Sequence, residues 1–220
     1  MPLKILYEDN HLIAVFKPSG VLVHADKSGE PTLMDEVKYY LKQKYHKTGK
    51  VFLGLLHRLD RNVQGIILFA KTSKGAARLS EQFRNHTIEK IYHAVVEGKP
   101  RKETETLVHY LTKDESKNKT TVNSKQTLGS QVAELSYEVV KSNGKYSLLK
   151  IKLGTGRPHQ IRAQLAEIGC PIVGDIKYGA KGQLADHELA LAATSLSFVT
   201  ATGEQRQNLH VSIPKNFIFN

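Results

Sequence analysis

The sequence predicts an α+β fold, a single domain built on a mixed, mostly antiparallel β-sheet with flanking helices. Apolar segments of strand length recur along the chain, and only a few segments have helical periodicity. Asn143-Gly144 separates two of the strand-like segments, which is the strongest hairpin signal in the chain and favours antiparallel pairing. The 220 residues contain neither an internal repeat nor a linker rich in proline or serine. One domain over residues 1–220 is therefore expected.

The first third of the chain predicts two short strands hinged at Asp9-Asn10, a turn at 18–20 and a helix. Thr32 and Asp35 fit a capping box at the start of that helix. Its apolar face is then expected to consist of Leu33, Val37, Tyr40 and Leu41.

Two apolar runs, at 51–56 and 65–72, have the composition of buried central strands, with Gly65 where the chain enters the second. A second helix is predicted over 73–85. It turns inward the side chains of Ala76, Leu79 and Phe83.

The rest of the chain predicts a strand at 89–98, a hairpin over 133–154 and short closing strands at 189–199 and 207–213. The polar segment 112–131 is expected to be an exposed hairpin loop. A late helix should have Pro158 at its first position, one apolar face and a stop at Gly169. That face would comprise Ile161, Leu165 and Ile168.

Charge points to a polyanionic partner. Lys and Arg total 32 against 21 for Asp and Glu, a formal charge of +11 that favours nucleic acid first and an anionic membrane surface second. The single cysteine, Cys170, excludes an intramolecular disulfide and a cysteine-based zinc cluster. No apolar stretch reaches the ~18 residues of a membrane span. The cytoplasm is the expected compartment.

The segment 56–72, LHRLDRNVQGIILFAKT, places His57, Arg58, Asp60 and Arg61 at the edge of an apolar run. Charges there must be solvated, paired or used, because burying an unpaired charge costs several kcal/mol or more. The segment does not fit a protein-kinase catalytic loop, since no Gly-rich loop precedes it and no Asp-Phe-Gly follows. The histidines lack metal-ligand spacing, so neither a metal nor a cofactor is expected.

Asp60 lies between two arginines, and a second cationic cluster, Arg157, His159 and Arg162, opens the late helix. An aspartate among cations stays ionised, which suits a nucleophile or a base. The residues alone leave another interpretation open, an ordinary Asp–Arg pair that fixes a loop.

The segment 57–72 resembles the catalytic motif of the RluA-type pseudouridine synthases, His-Arg-Leu-Asp followed by an apolar strand ending in Ala-Lys. Further motifs of that family have counterparts in order along residues 4 to about 214. They are a Lys-Pro-x-Gly turn at 17–20, Lys-x-Tyr-x-Ala at 90–94, Thr-Gly-Arg-x-His-Gln-Ile-Arg at 155–162 and Gly-Asp-x-x-Tyr-Gly at 174–179.

This resemblance implies a pseudouridine synthase fold and a set of roles. Asp60 would be the catalytic aspartate, Tyr92 would stack on the uracil ring, and Arg162 would pair with Asp60 and hold it ionised. Arg58 would enter the space left by a flipped nucleotide. The remaining RNA contacts implied are those of Arg157, His159 and His57.

The implied activity is isomerisation of specific uridines to pseudouridine in structured RNA, a stem-loop of rRNA or tRNA, by a monomer without cofactor, metal or membrane partner. No separate N-terminal RNA-binding domain is expected, because the catalytic motifs begin at residue 4. Val63-Gln64 departs from the family's usual Thr-Ser, and Ala192 stands where many members have His. Whether Asp60 attacks the sugar, attacks the base or removes a proton stays open.

Two alternatives remain on the sequence alone. One is a non-catalytic RNA-binding protein or chaperone on the same scaffold. The other is a phosphodiesterase that uses His57 as its base.

Overall fold

A computed structural model describes residues 3–26 and 29–217. Within these ranges the α-helices are α1 (Leu33–Lys44), α2 (Ser73–Arg84) and α3 (Gln160–Glu167). The strands are β1 (Ile5–Glu8), β2 (Leu12–Lys17), β3 (Gly54–Leu55), β4 (Gln64–Ala70), β5 (Glu89–Glu97), β6 (Thr104–Asp114), β7 (Lys119–Asn123), β8 (Gln131–Ser142), β9 (Tyr146–Leu153), β10 (Leu191–Val199) and β11 (Arg206–His210). The predicted α+β class with mostly antiparallel strands is confirmed. No helix in the described ranges is long and apolar enough to span a membrane.

The chain divides into two compact units. The first unit comprises the described residues up to 89 together with 195–211, and the second comprises 90–194 together with the described residues from 212 onward. A single catalytic domain over 1–220, without a separate RNA-binding domain, stays a prediction.

The first unit is built on antiparallel strands: β2 pairs with β1 on one side and with β4 on the other. Residues 195–199 of β10 pair with β11. Leu12, Ile66 and Leu68 from the strands pack with Leu79 of α2 and with Phe198, and all five side chains are buried. This apolar cluster anchors β4, whose first residue follows the His-Arg-Leu-Asp segment.

Helix α1 begins as predicted. The Asp35 N–H donates to the Thr32 hydroxyl (3.2 Å), and the Thr32 N–H donates to the Asp35 carboxylate (3.1 Å), which completes the capping box. Its buried face is Leu33, Val37 and Leu41. Tyr40, predicted on that face, is half-buried, and its hydroxyl donates to Glu8 (3.1 Å).

The prediction of a buried strand over 51–56 is largely wrong. Only Gly54 and Leu55 pair with β4, and Phe52 is 50% exposed. The cause is His57, two residues after the end of β3. The Leu68 N–H of β4 donates to the His57 imidazole instead of a backbone carbonyl, so the ladder ends there.

The prediction of an exposed loop over 112–131 is also wrong in part, because β7 lies within it and pairs with β6. Thr120 of β7 is 2% exposed. Its N–H donates to the Tyr178 hydroxyl (2.8 Å) and its own hydroxyl donates to the Pro158 carbonyl (2.8 Å). The polar composition therefore reflects internal hydrogen bonds as well as exposure.

The second unit contains the series β5-β9-β8-β6-β7, in which every neighbouring pair is antiparallel. The hairpin between β8 and β9 turns at Asn143-Gly144, as predicted. The Asn143 N–H donates to the Tyr146 carbonyl (3.1 Å), and Gly144 has a φ of 83°.

Helix α3 begins at Gln160 and not at Pro158. The Gln160 side-chain oxygen accepts the Arg157 N–H (2.9 Å) and the Thr155 hydroxyl (2.7 Å), which holds the preceding residues in a loop. The predicted single apolar face is wrong as well, since residues 160–165 are all buried. The stop at Gly169, with a φ of 77°, is confirmed.

Candidate active site

The loop that carries Asp60 joins β3 to β4. Leu59 and Val63 are 8% and 2% exposed, Asp60 is half-buried and Arg58 is exposed. The Asp60 carbonyl accepts the Val63 N–H (3.1 Å), which closes a tight turn. Two apolar side chains therefore hold the loop against the core, while the charged residues between them remain accessible.

Lys17 at the end of β2 anchors this turn through hydrogen bonds to backbone carbonyls. Its side chain is fully buried, and its ammonium group donates to the carbonyls of Pro18 (2.9 Å), Val21 (2.8 Å) and Arg61 (2.7 Å). An ammonium group has three N–H donors, so these acceptors satisfy all of them. Lys17 thus joins the 18–21 turn to the turn that carries Asp60.

More hydrogen bonds connect the same two turns. The Gly20 N–H donates to the Arg61 carbonyl (2.9 Å), and the Ser19 hydroxyl donates to the Asn62 carbonyl (3.0 Å). The Arg61 guanidinium donates to Gly20 (3.0 Å) and to both carboxylate oxygens of Glu30 (2.8 and 2.7 Å). Arg61, one of the two arginines that flank Asp60 in sequence, is therefore held by Glu30.

Lys17 is also coupled electrostatically to the loop. Burial lowers the pKa of Lys17 to about 7, and the charge of Asp60 opposes that shift while the charge of Arg61 adds to it. Three carbonyl acceptors favour the protonated form. The ammonium is therefore present below neutral pH.

His57 is held by two contacts at the start of the loop. Its Nε2 accepts the Leu68 N–H (3.0 Å), and its ring stacks on Phe83 with centroids 5.0 Å apart. An Nε2 that accepts a backbone N–H cannot carry a proton at the same time. These contacts weigh against His57 as the base of a phosphodiesterase, and its contact with RNA stays a prediction.

Val63-Gln64, which depart from the family pattern, lie at the end of the loop that carries Asp60. Val63 is buried, so its apolar side chain suits the environment that it occupies. Gly65, opposite Lys17 in the β2–β4 ladder, has a φ of 131°, which favours glycine where the chain enters the strand.

In the second unit, Tyr92 lies on β5 opposite Ile151 of β9 and is 7% exposed. Arg162 lies on α3 and is 8% exposed. Its guanidinium donates from Nε and from a terminal nitrogen to the two carboxylate oxygens of Asp175 (2.7 and 2.8 Å). Stacking of Tyr92 on uracil and pairing of Arg162 with Asp60 both stay predictions.

Sequence reasoning gave no role to Lys17, Asp175 or Tyr178. Asp175 is 1% exposed, and the Arg162 guanidinium carbon lies 5.0 Å from the centre of the Tyr178 ring. The signal was present in the motifs Lys-Pro-x-Gly and Gly-Asp-x-x-Tyr-Gly, which were matched to the family without a function for these side chains.

Two residues of the predicted cationic cluster at the start of α3, His159 and Arg162, have the Tyr178 side chain as a common neighbour. His159 Nδ1 lies 2.9 Å from the Tyr178 hydroxyl, and the Arg157 Nε donates to the Val132 carbonyl (3.0 Å). Tyr178 therefore touches both Arg162 and His159, and burial raises its pKa. The RNA contacts of Arg157 and His159, like that of Arg58, stay predictions.

The fold is that of the pseudouridylate synthases. The solved structure of human RNA pseudouridylate synthase domain containing 4 superposes with a TM-score of 0.80, covers 97% of this chain and 90% of its own, and is 24% identical. The sequence profile of the RNA pseudouridylate synthase family matches residues 11–167. The chain belongs to that family.

Three curated relatives agree with this assignment. An uncharacterized RNA pseudouridine synthase of Bacillus subtilis is 35% identical over 199 residues, 90% of this chain. Ribosomal large subunit pseudouridine synthase D of Zymomonas mobilis is 32% identical over 214 residues, 96% of this chain. The chain spans 64% of the length of each of these two relatives. It covers 85% of tRNA pseudouridine synthase C of Vibrio parahaemolyticus, which is 34% identical over 90% of this chain.

Proposed function

We propose that this protein isomerises uridine to pseudouridine in structured RNA and that Asp60 is its catalytic carboxylate. The observation that carries the proposal is the His-Arg-Leu-Asp loop of a chain in the RNA pseudouridylate synthase family, with its backbone anchored by the buried Lys17. Two of the similar proteins are named for the ribosomal large subunit and for tRNA, which makes rRNA and tRNA the proposed substrates. A stem-loop of one of these RNAs is the proposed substrate, and the protein acts on it as a cytoplasmic monomer.

The reaction breaks the bond between uracil N1 and ribose C1′ and forms one between C5 and C1′. The C5 proton leaves and N1 takes up a proton, so the product is an isomer and there is no net oxidation or reduction. The uridine must first leave its stack, at a cost of a few kcal/mol. RNA loops expose bases more readily than duplexes do, which favours a loop as the target.

The roles proposed for the other residues follow the family resemblance. Arg58 is exposed, and in the described ranges its guanidinium forms no ion pair, so it is available to enter the space that the flipped nucleotide leaves. Tyr92 supplies the aromatic ring against the base, and Arg162 supplies the cation that orients Asp60. His57, Arg157 and His159 contact the RNA.

The test is tritium release from RNA labelled at uridine C5, measured with the wild type and Asp60→Asn. We expect the substitution to abolish release, because the amide can act neither as nucleophile nor as base, while RNA binding persists. The matched control is Glu81→Gln, which neutralises an exposed carboxylate on α2 and should leave release unchanged.

Two results would contradict the proposal. Full tritium release by Asp60→Asn would show that Asp60 is not the catalytic carboxylate. No release by the wild type from either rRNA or tRNA, with RNA binding intact, would favour the non-catalytic RNA-binding alternative.

A further inference from the structure

The first unit contains a surface cavity on the exposed side of α1, within its own residues. The cavity has a volume of about 410 Å³ and is lined by Lys38, Tyr39 and Lys42 of the helix and by Thr48, Gly49 and Lys50 of the following segment. Val51 completes the lining, and these seven residues are called the lysine–tyrosine cavity below. None of them belongs to the catalytic loop.

The cavity is strongly cationic. Residues 37–59 contain no Asp or Glu but carry five lysines and Arg58. Lys44 is paired with Glu8 (2.7 Å), whereas in the described part of the chain Lys38, Lys42 and Lys50 have no ion-pair partner. Three lysines without an ion-pair partner in the described residues therefore line the cavity, which suits a ligand that carries several negative charges.

This arrangement has a cost that packing does not explain. Lys38 and Lys42 lie four residues apart on α1, where like charges destabilise a helix by a few tenths of a kcal/mol. Lys42 is exposed and Lys38 is half-buried, and neither belongs to the buried face of α1, which consists of Leu33, Val37 and Leu41. Neither lysine is among the buried residues of the described chain.

Tyr39 supplies a second kind of contact. It is 66% exposed, and it lies between Lys38 and Lys42 in the sequence and beside both in the cavity. An exposed aromatic ring flanked by cations is the arrangement that binds single-stranded nucleic acid, since bases stack on the ring and phosphates contact the lysines. A folded acidic protein or an anionic lipid surface would engage the lysines but would not need the ring.

We infer that the lysine–tyrosine cavity is a second RNA-binding site, which holds an unpaired nucleotide outside the modified uridine, with its base on Tyr39 and neighbouring phosphates at Lys38, Lys42 and Lys50. The inference rests on the proposed function for the identity of the RNA. The chain from Lys50 to Asp60 spans at most about 35 Å when fully extended. One structured RNA can therefore reach both places.

The experiment measures RNA binding in the Asp60→Asn background, so that its result does not depend on catalysis. The probes are a fluorescein-labelled oligouridylate and total tRNA. The test variant is Lys38→Gln/Lys42→Gln/Lys50→Gln, and the control is Lys74→Gln/Lys125→Gln/Lys181→Gln, which removes the same charge from scattered exposed sites. Unfolding curves verify that both variants fold.

The expected result is roughly tenfold weaker binding for the cavity variant, with the slope of log affinity against log salt reduced by about 2, as three phosphate contacts require. The control should change affinity by less than twofold. Tyr39→Ala should weaken binding of the oligouridylate by about fivefold or more, whereas Tyr39→Phe, which keeps the ring, should restore it. Inorganic phosphate should compete only weakly.

Equal salt slopes for the cavity variant and the control would overturn the inference. So would RNA binding that is unchanged while binding to phosphatidylserine vesicles or to an acidic peptide is lost. The two proposals can be told apart. If the wild type releases no tritium but the cavity variant still binds RNA more weakly, the proposed function is wrong and the second RNA-binding site is supported.

Discussion

Asp60 and Arg162 are both positioned by a buried group, but in opposite ways. The Asp60 loop is held through its backbone, because Lys17 donates to carbonyl oxygens and none of its three hydrogen bonds goes to the Asp60 carboxylate. Arg162 is held through its side chain, by two hydrogen bonds to Asp175. Hydrogen bonds to the backbone fix the position of the residue that bears the reactive side chain. Hydrogen bonds between side chains fix the orientation of the charged group itself.

The largest effect on stability is expected for Asp175→Asn. The substitution removes the Asp175 carboxylate from the buried Arg162, and breaking a buried ion pair on one side costs about 3–5 kcal/mol. Urea unfolding monitored by circular dichroism measures the change. Glu103→Gln, which breaks an exposed pair with Lys99, is the control and should leave the midpoint unchanged. A midpoint for Asp175→Asn equal to that of the control would show that the side-chain anchor is dispensable.

Lys17→Met should have the next largest effect. It leaves the carbonyls of Pro18, Val21 and Arg61 without their donor, and we expect a loss of about 2–3 kcal/mol because the apolar stem still fills the site. Tritium release at saturating RNA should also fall, since the turn that carries Asp60 loses its anchor. Lys74→Met, at an exposed position, is the control. Wild-type turnover by Lys17→Met would refute backbone anchoring as a requirement for activity.

The next effect, smaller for each pH unit, is expected from a change of pH. The pKa of Lys17 is about 7 in the folded state, against an ordinary value of 10.5. Between these values the unfolded chain binds a proton that the folded chain does not, so the free energy of unfolding should rise with pH, by at most about 1.4 kcal/mol per pH unit. Below pH 7 both states bind the proton, and this contribution is constant.

The measurement compares the wild type with Lys17→Met in urea at pH 6 to pH 9.5, because the difference isolates Lys17 from other titrating groups. The difference in unfolding free energy should be flat up to neutral pH and then move in favour of the wild type. A difference that moves in the other direction above pH 7 would mean that burial does not lower this pKa.

The smallest effect is expected for Glu30→Gln. The Arg61–Glu30 pair is almost half exposed on both sides, and exposed pairs contribute little because water screens them. The urea midpoint and the turnover should match the wild type, with Glu81→Gln for comparison. A loss as large as that of Lys17→Met would show that the exposed pair, and not the buried lysine, holds the turn.

Local signals predicted much of the fold. The capping box of Thr32 and Asp35, the apolar run of β4 and the Asn143-Gly144 turn each depend on residues close in sequence, and all are confirmed. The errors occurred where distant residues decide the outcome. His57 ends the β3–β4 ladder, and Tyr178 draws the polar Thr120 of β7 into a buried environment.

The candidate active site could likewise be predicted from the sequence only in part. The motif around Asp60 can be read directly from residues 57–60, and its flanking charges suggest a functional loop. The buried partners cannot be found from periodicity, because Lys17 is a charged residue at a strand end and Asp175 lies 13 positions after Arg162. Composition predicts such groups on the surface, and only the carbonyl and guanidinium partners supplied by the fold make their burial possible.

Lys17 also gives the loop a chemical signature. Just above neutrality its amine is uncharged in the folded state, but the side chain is fully buried and hydrogen-bonded to the 18–21 turn, so its low pKa does not by itself make it reactive. An acylating reagent can reach it only when that turn opens. Its rate of acylation, compared with that of an exposed lysine, therefore measures how often the loop that carries Asp60 opens in the native protein.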